Sequence, residues 1–299
     1  MEVTTRVRRW LPGLLLVSPS IVLIAVFVYG LLGWNFKVAM TDKHNEIAEI
    51  PGNFVGLENF VSIWSEERWG LSVRHSIIFT AVFVGGALVL GWFLAFLMEK
   101  GIRGEGGFRA IYLFPMAISF IATGVVWRWL MNSATGERAV GLNRLFGYLG
   151  MDFLQWQWFR DPDWGMAAMA VPAVWQMSGY IMALFLAGFR GVPEELREAA
   201  RVDGCNEWQV YRRVILPMLR PVTLSALIIL GHISLKVFDL VVAVSGKQII
   251  TDVPATFMWT AVFDAHDPAK GATIAAYIVL SVVIFIVPYL IWNARKGNR

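Results

Sequence analysis

Charged side chains are scarce in this sequence. They make up 16% of its 299 residues, whereas hydrophobic residues make up 57%. A water-soluble chain carries roughly a quarter charged residues, so the composition excludes an ordinary soluble domain. Cysteine is almost absent, and the single thiol, Cys205, excludes an intrachain disulfide. The four histidines, His44, His75, His232 and His266, show no metal-ligand spacing, and no nucleophile motif accompanies them. Both absences argue against a membrane enzyme. A phosphate-cradling G-x-x-x-x-G-K-[ST] loop is missing too: Gly246-Lys247 has Val241 where the first glycine belongs and is followed by Gln248. No cofactor or metal site is expected on the chain.

Long apolar runs are what the sequence does have, and its mean hydropathy is +0.58. Crossing the hydrocarbon core takes about 20 helical residues. Six runs meet that length, at 14–34, 77–98, 110–131, 166–189, 222–244 and 272–292. They are continuous rather than short and alternating, which excludes a β-barrel. Trp10 and Trp34 flank the first run and Trp292 ends the last, as interfacial aromatics do. The run after Arg6-Val7-Arg8-Arg9 is too long for a signal peptide, and no small-x-small cleavage site closes it, so it is read as a retained helix. With the N-terminus inside, fifteen Lys and Arg fall in inner segments and nine in longer outer ones. That bias places both termini in the cytoplasm. It also accounts for the net charge of +4 without a nucleic-acid partner. Pro19, Pro115 and Pro172 predict kinks, and Gly85-Gly86 predicts close helix packing. Long outer segments near 35–76, 132–165 and 245–271 offer surface to an extracytoplasmic partner, or simply cap the bundle. The chain reads as one transmembrane domain over 1–299, with no repeat.

Between the fourth and fifth runs lies a polar island, 190–221. Pro193 suits the first turn of a helix, where its missing N–H costs nothing. Glu194, Glu195 and Glu198 lie toward that helix's positive end. Ala199 and Ala200 give it a thin profile that a second body can approach closely. Asp203 and Gly204 follow, the glycine permitting a sharp turn. A second helix near 207–216 leads to Leu216-Pro217, where the chain returns to the membrane. An amphipathic linker would also be charged, but it would not need this spacing.

The island resembles the conserved cytoplasmic loop, the EAA loop, of permease subunits from binding-protein-dependent ABC importers. Further matches point to the maltose-type, sugar-importing branch: residues 15–19, Phe54-Val55-Gly56-Leu57-Glu58-Asn59-Phe60, Phe108-Arg109-Ala110-Ile111-Tyr112-Leu113-Phe114-Pro115, Phe185-Leu186-Ala187-Gly188-Phe189 and Lys236-Val237-Phe238-Asp239. Cys205 stands where the family usually has Ala, and Val214 where it has Ile. Ser245-Gly246-Lys247 departs from a glycine-rich stretch carried by many relatives. The resemblance implies an all-α membrane protein with six transmembrane helices and a cytoplasmic coupling helix, the type I ABC importer permease fold. It implies that Glu198, Ala199, Ala200, Asp203, Gly204, Leu216 and Pro217 couple the chain to a dimer of cytoplasmic ATPase subunits, which bind ATP and Mg. A second homologous permease, an extracytoplasmic sugar-binding protein, the sugar and membrane lipid complete the expected partners. The expected location is a prokaryotic cytoplasmic membrane.

Two clusters are candidates for the transport path. His232, Lys236 and Asp239 fall at i, i+4 and i+7, one face of a continuous helix. Lys236 and Asp239 read either as a structural ion pair or as part of the path, and both readings can hold. Trp175, Gln176 and Tyr180 offer an aromatic plane beside an amide, suited to a sugar and equally to packing. An autonomous ion-coupled transporter is the competing function, with His232, Lys236 and Asp239 as its relay.

Overall fold

The computed structural model describes residues 13, 15–44 and 52–297, with side chains as far as 288. Arg6, Arg8, Arg9, Trp10, Glu46, Glu49 and Arg299 lie outside the described residues, as do the side chains of Trp292, Arg295 and Lys296. Helices dominate. The described residues hold no strand beyond an isolated bridge between Thr41 and Phe54.

The principal helices are α1 (Leu15–Ala39), α2 (Glu67–Glu99), α3 (Glu105–Ala117), α4 (Phe120–Leu130), α5 (Gly141–Tyr148), α6 (Gly165–Arg190), α7 (Glu194–Val202), α8 (Glu207–Met218), α9 (Arg220–Leu235), α10 (Asp239–Ser245), α11 (Pro254–Trp259) and α12 (Pro268–Gly297). Of these, α1, α2, α6 and the 268–288 part of α12 are each long and apolar enough to span a membrane. The pairs α3–α4 and α8–α9 qualify only as bent units, at 98° and 60°, so six spans require each bent pair to count as one.

Two of the six expected helices are therefore not continuous. The run at 110–131 breaks where Ile118 and Ser119 turn extended, just after a 3-10 turn holding Pro115. Ser119 then caps α4, its hydroxyl accepting from the Ala122 N–H at 3.2 Å. The run at 222–244 stops at Lys236 and restarts at Asp239. Hydropathy does not mark the first break, whose flanks are apolar on both sides, whereas the second coincides with the charged Lys236 and Asp239, which were read as one helix face. Helix α2 errs the other way. Its 33 residues reach about 50 Å, beyond the hydrocarbon core, and its first ten lay outside the expected span. Trp69, Ser72, His75 and Ser76 are buried against protein there, so packing extends the helix past the apolar stretch.

The contacts divide the chain into two compact units. One comprises Glu67–Phe257 with Ile278–Arg299. Its core lies where α2 packs along α6, with Phe79, Phe83, Ile181, Met182 and Phe189 fully buried or nearly so. Gly86 and Gly91 permit that approach: a Cβ on Gly86 would meet Val174 at 2.8 Å, and one on Gly91 would meet Ile181 at 2.6 Å. Gly85, the other half of the predicted pair, faces open space. Pro172 lies within α6 without dividing it.

The other unit comprises Met1–Glu66 with Met258–Tyr277. Here α1 leaves most of its apolar side chains exposed, as a lipid-facing helix does. Backbone is tied by side chains: Asn59 donates to the carbonyls of Ala39 (2.9 Å) and Thr41 (2.8 Å), and Asn35 donates to that of Ala272 at 3.0 Å.

Candidate functional site

The polar island folds as a helix–turn–helix. Pro193 sits at the N-terminal boundary of α7, with Glu194 and Glu195 in the first turn. Gly204, at φ +82°, reverses the chain. The turn is closed by the Cys205 N–H bonding the Ala200 carbonyl at 3.0 Å. Asn206 and Gln209 form a reciprocal capping box that starts α8. A π-helical turn at Tyr211–Ile215 and the Pro217 segment lead to the bend before α9.

The helix divides its residues between two faces. Glu195, Glu198, Ala199 and Val202 are exposed and recur at the spacing of one helical face. Ala200 is buried in the core cluster. The two alanines thus differ: Ala199 belongs to the outer ridge, and Ala200 seats α7 on its own protein. Asp203, Gly204 and Leu216 are exposed, and Pro217 is half-buried. The sequence reading missed Val202, which is 87% exposed, and Trp208, 67% exposed. These large apolar side chains flank the Gly204 turn, and an exposed patch of this kind marks an interaction surface.

The anchorage of the loop was missed as well. Arg197 reaches the C-terminal end of α2 and pairs with Glu99 at 2.6 Å. Its Nη2 donates to the Phe189 carbonyl at 2.8 Å. Tyr211 also hydrogen-bonds Glu99, and its ring meets Phe96 edge-on at 5.2 Å. An acid at a helix C-terminus is electrostatically unfavourable by itself. Glu99 at the end of a long apolar run was therefore the available signal that a cation must stand nearby. Arg201 bridges the two loop helices, binding Glu207 at 2.8 Å and Glu194 at 3.1 Å. Arg190 binds Glu105 at 2.7 Å, and Arg109 shares that carboxylate.

The predicted path residues are dispersed. The break at Lys236–Phe238 removes the single face proposed for His232, Lys236 and Asp239, and no ion pair joins Lys236 to Asp239 among the described residues. Both do line one cavity of about 170 Å³, with Phe79, Phe120, Ala173, Ile233 and Phe238. His232 is half-buried outside that lining, and its Nδ1 has no hydrogen-bond partner. Gln176 is buried and donates to the Ile118 carbonyl at 2.6 Å, satisfying a group freed by the α3–α4 break. Trp175 is part-exposed and packs on Trp127, with ring centroids 5.9 Å apart. Tyr180 is half-buried against the core.

The segment between α4 and α6 has a polar centre of its own. Buried Asn143 donates to the Trp156 carbonyl at 2.9 Å and accepts from the Trp158 indole at 2.9 Å. The backbone N–H groups of Trp164 and Asp163 and the Trp156 indole all donate to Asp161. Those bonds, Trp164 first, hold its carboxyl below the ordinary aspartate range. Among the described residues, no group of three His, Cys, Asp or Glu side chains could hold a metal ion.

A family model described as binding-protein-dependent transport system inner membrane component matches residues 87–294. A probable ABC transporter permease protein of Pyrococcus horikoshii is 36% identical over 288 residues, covering 96% of this chain and 97% of its own. The xylose/arabinose import permease protein of Haloferax volcanii is 32% identical over 280 residues, covering 93% and 86%. A subunit in the crystal structure of a bacterial ABC transporter involved in the import of the acidic polysaccharide alginate superposes with a TM-score of 0.76 at 18% identity, covering 100% of this chain and 99% of that one. This last likeness is one of fold.

Proposed function

The chain belongs to the family of inner membrane components of binding-protein-dependent transport systems, and from that premise we propose that it is one permease subunit of an ATP-driven sugar importer. The observation that carries the proposal is the outward ridge of Glu198, Ala199 and Val202 beside Gly204, on a loop braced to α2 through Arg197 and Glu99. A body seated on that ridge would move the membrane helices with the loop. The reading assigns that body to a dimer of ATPase subunits, which supply ATP and Mg. Glu198 pairs there with a basic residue, and closure of the dimer switches the permease between inward and outward access. A second, homologous permease completes the pore, and an extracytoplasmic binding protein delivers the substrate.

A sugar as cargo is supported by the import function named for the Haloferax relative. The cavity bearing Lys236 and Asp239 offers a cation and an anion to hydroxyl groups. His232, Trp175 and Tyr180 belong to the path in this reading, and Gln176 shapes it by holding Ile118. Both termini lie in the cytoplasm of a prokaryotic cell. The ion-coupled alternative loses its relay, because His232, Lys236 and Asp239 no longer share a helix face.

The test is ATPase activity in liposomes, with the chain co-expressed with its neighbouring permease and ATPase. Candidate binding proteins, each loaded with one of a panel of sugars, are then added. Stimulation by one loaded binding protein is expected and names the sugar. Tagged chain that retains no ATPase subunit in mild detergent refutes the coupling role. An assembled complex that no sugar-loaded protein stimulates refutes the sugar assignment alone.

A further inference from the structure

The unit that contains α1 holds a cavity of about 160 Å³, whose lining among the described residues includes Trp34, Lys37, Val38, Thr41, Lys43, Gly52 and Pro268. Two of the lining side chains are cations. Lys43 is 8% exposed, and among the described residues neither lysine forms an ion pair. Among the described residues, two nearby acids have basic partners and Asp42 has a neutral one. Asp267 bonds His44 at 3.0 Å, Glu66 bonds Lys270 at 2.9 Å, and Asp42 accepts from Asn53 at 3.0 Å. Asp42 is thus the one described carboxylate set against the two ammonium groups, its Oδ1 lying beside Gly52, so the lining keeps a net positive charge and suits an anion. Its walls are fixed by backbone bonds. The Lys43 carbonyl accepts from the Ala269 N–H at 3.0 Å, and the Val55 N–H donates to the Met40 carbonyl at 2.8 Å.

The position of the cavity specifies the anion. It lies at the C-terminal end of α1, a helix long and apolar enough to span the membrane. Trp34, half-exposed there, has the place of an interfacial aromatic. The Lys37 ammonium sits 5.4 Å from the Trp34 ring centroid, so one wall joins an apolar plane to a positive charge. A soluble anion would use the charge but not the apolar wall, whereas a phospholipid uses both. We propose that Lys37, Lys43 and Trp34 bind the phosphate-bearing headgroup of an anionic phospholipid, in the leaflet reached by the C-terminal end of α1. The shared chemistry is a phosphate oxygen between two ammonium groups, and free inorganic phosphate is the competing source.

The experiment is native mass spectrometry of the full chain, released from nanodiscs of phosphatidylcholine and phosphatidylglycerol. Wild type is expected to retain phosphatidylglycerol in preference to phosphatidylcholine. Lys43→Gln is expected to lower that retention about tenfold, equivalent to about 1.4 kcal/mol, and Lys43→Arg to preserve most of it. Lys37→Gln, at an exposed position, serves as the second variant should Lys43→Gln fail to fold, with a loss in the same direction. Equal retention of phosphatidylglycerol by wild type and the glutamine variants overturns the site. Binding of added inorganic phosphate with no lipid preference overturns the lipid assignment. Neither result bears on ATPase coupling, so this proposal and the importer reading fail separately.

Discussion

Arg197 and Glu99 stand 2.6 Å apart, with only 14% and 7% of their side-chain surfaces exposed, and they tie the first helix of the polar loop to the end of a 33-residue apolar helix. Together with the Tyr211 contacts to Glu99 and Phe96, this pair joins the loop to α2. Removing one partner of such a pair strands a buried charge, at a cost of roughly 3–5 kcal/mol. Glu99→Ala and Arg197→Ala are expected to lower the thermal stability of the assembled complex and to raise hydrogen exchange in residues 194–218. Unchanged exchange there would show that the aromatic packing of Tyr211 holds the loop alone.

The outer ridge predicts a different phenotype. Glu198→Arg reverses the charge beside Ala199. Gly204→Asp places a side chain at φ +82°, a left-handed conformation that costs an L-residue about 1–2 kcal/mol. Each variant is expected to insert and fold, and to lose docking energy on the scale of a hot-spot residue, about 2 kcal/mol or more. Uptake by the complete complex and co-purification of the ATPase measure this. Normal values of both in either variant contradict the docking model.

Trp208 extends that prediction. It is exposed on the second loop helix, next to the Gly204 turn. Trp208→Ala is expected to leave the melting temperature of the isolated chain within about 1 °C, because surface changes shift stability by no more than about 0.5 kcal/mol. ATPase retention is expected to fall. A stability loss without a retention loss would make the side chain structural.

Close backbone approach gives a control pair of glycines. A Cβ on Gly179 would collide with the Tyr112 carbonyl of α3, whereas one on Gly85 meets nothing within 4 Å. Gly179→Ala is expected to cost about 1–3 kcal/mol by overpacking and to reduce the yield of folded protein. Gly85→Ala, in the interior of α2, should be neutral or stabilising by up to about 1 kcal/mol. Equal melting temperatures for the two variants would show that α3 sits farther from α6.

Asp161 makes the segment between α4 and α6 sensitive to acid. Its folded pKa lies below the ordinary value of 3.8, because donors from Trp164, Trp156 and Asp163 favour the carboxylate. A depressed pKa contributes stability that is fully present above 3.8 and is lost as pH falls through the folded value. Trp fluorescence of this segment should therefore stay constant from neutral pH down to about pH 5 and change only in stronger acid. Asp161→Asn, which keeps the shape without the charge, should remove that acid transition.

How much of this was legible beforehand differs from element to element. Helix α6 was readable almost to the residue, because 166–189 is long, predominantly apolar, without a charge, and bounded by Asp163 and Arg190, and the structure gives Gly165–Arg190. The loop turn at Gly204 was readable for a different reason: a glycine after a helix-forming run is a local signal, and φ +82° is a local property. The extension of α2 to Glu67 was not, since buried Trp69, Ser72 and His75 answer to neighbours distant in sequence.

The sequence by itself determined the helical, membrane-spanning class, the polar loop and its turn, because these follow from apolar length, backbone freedom and residue spacing along the chain. Only the tertiary structure decided that Ala199 faces out while Ala200 faces in, that Gln176 holds the Ile118 carbonyl, that Lys236 and Asp239 meet at a cavity without pairing, and that Glu99 braces Arg197. Each of these depends on which distant group occupies the space beside a side chain. Spacing along one helix carries no information about that until the helices have packed.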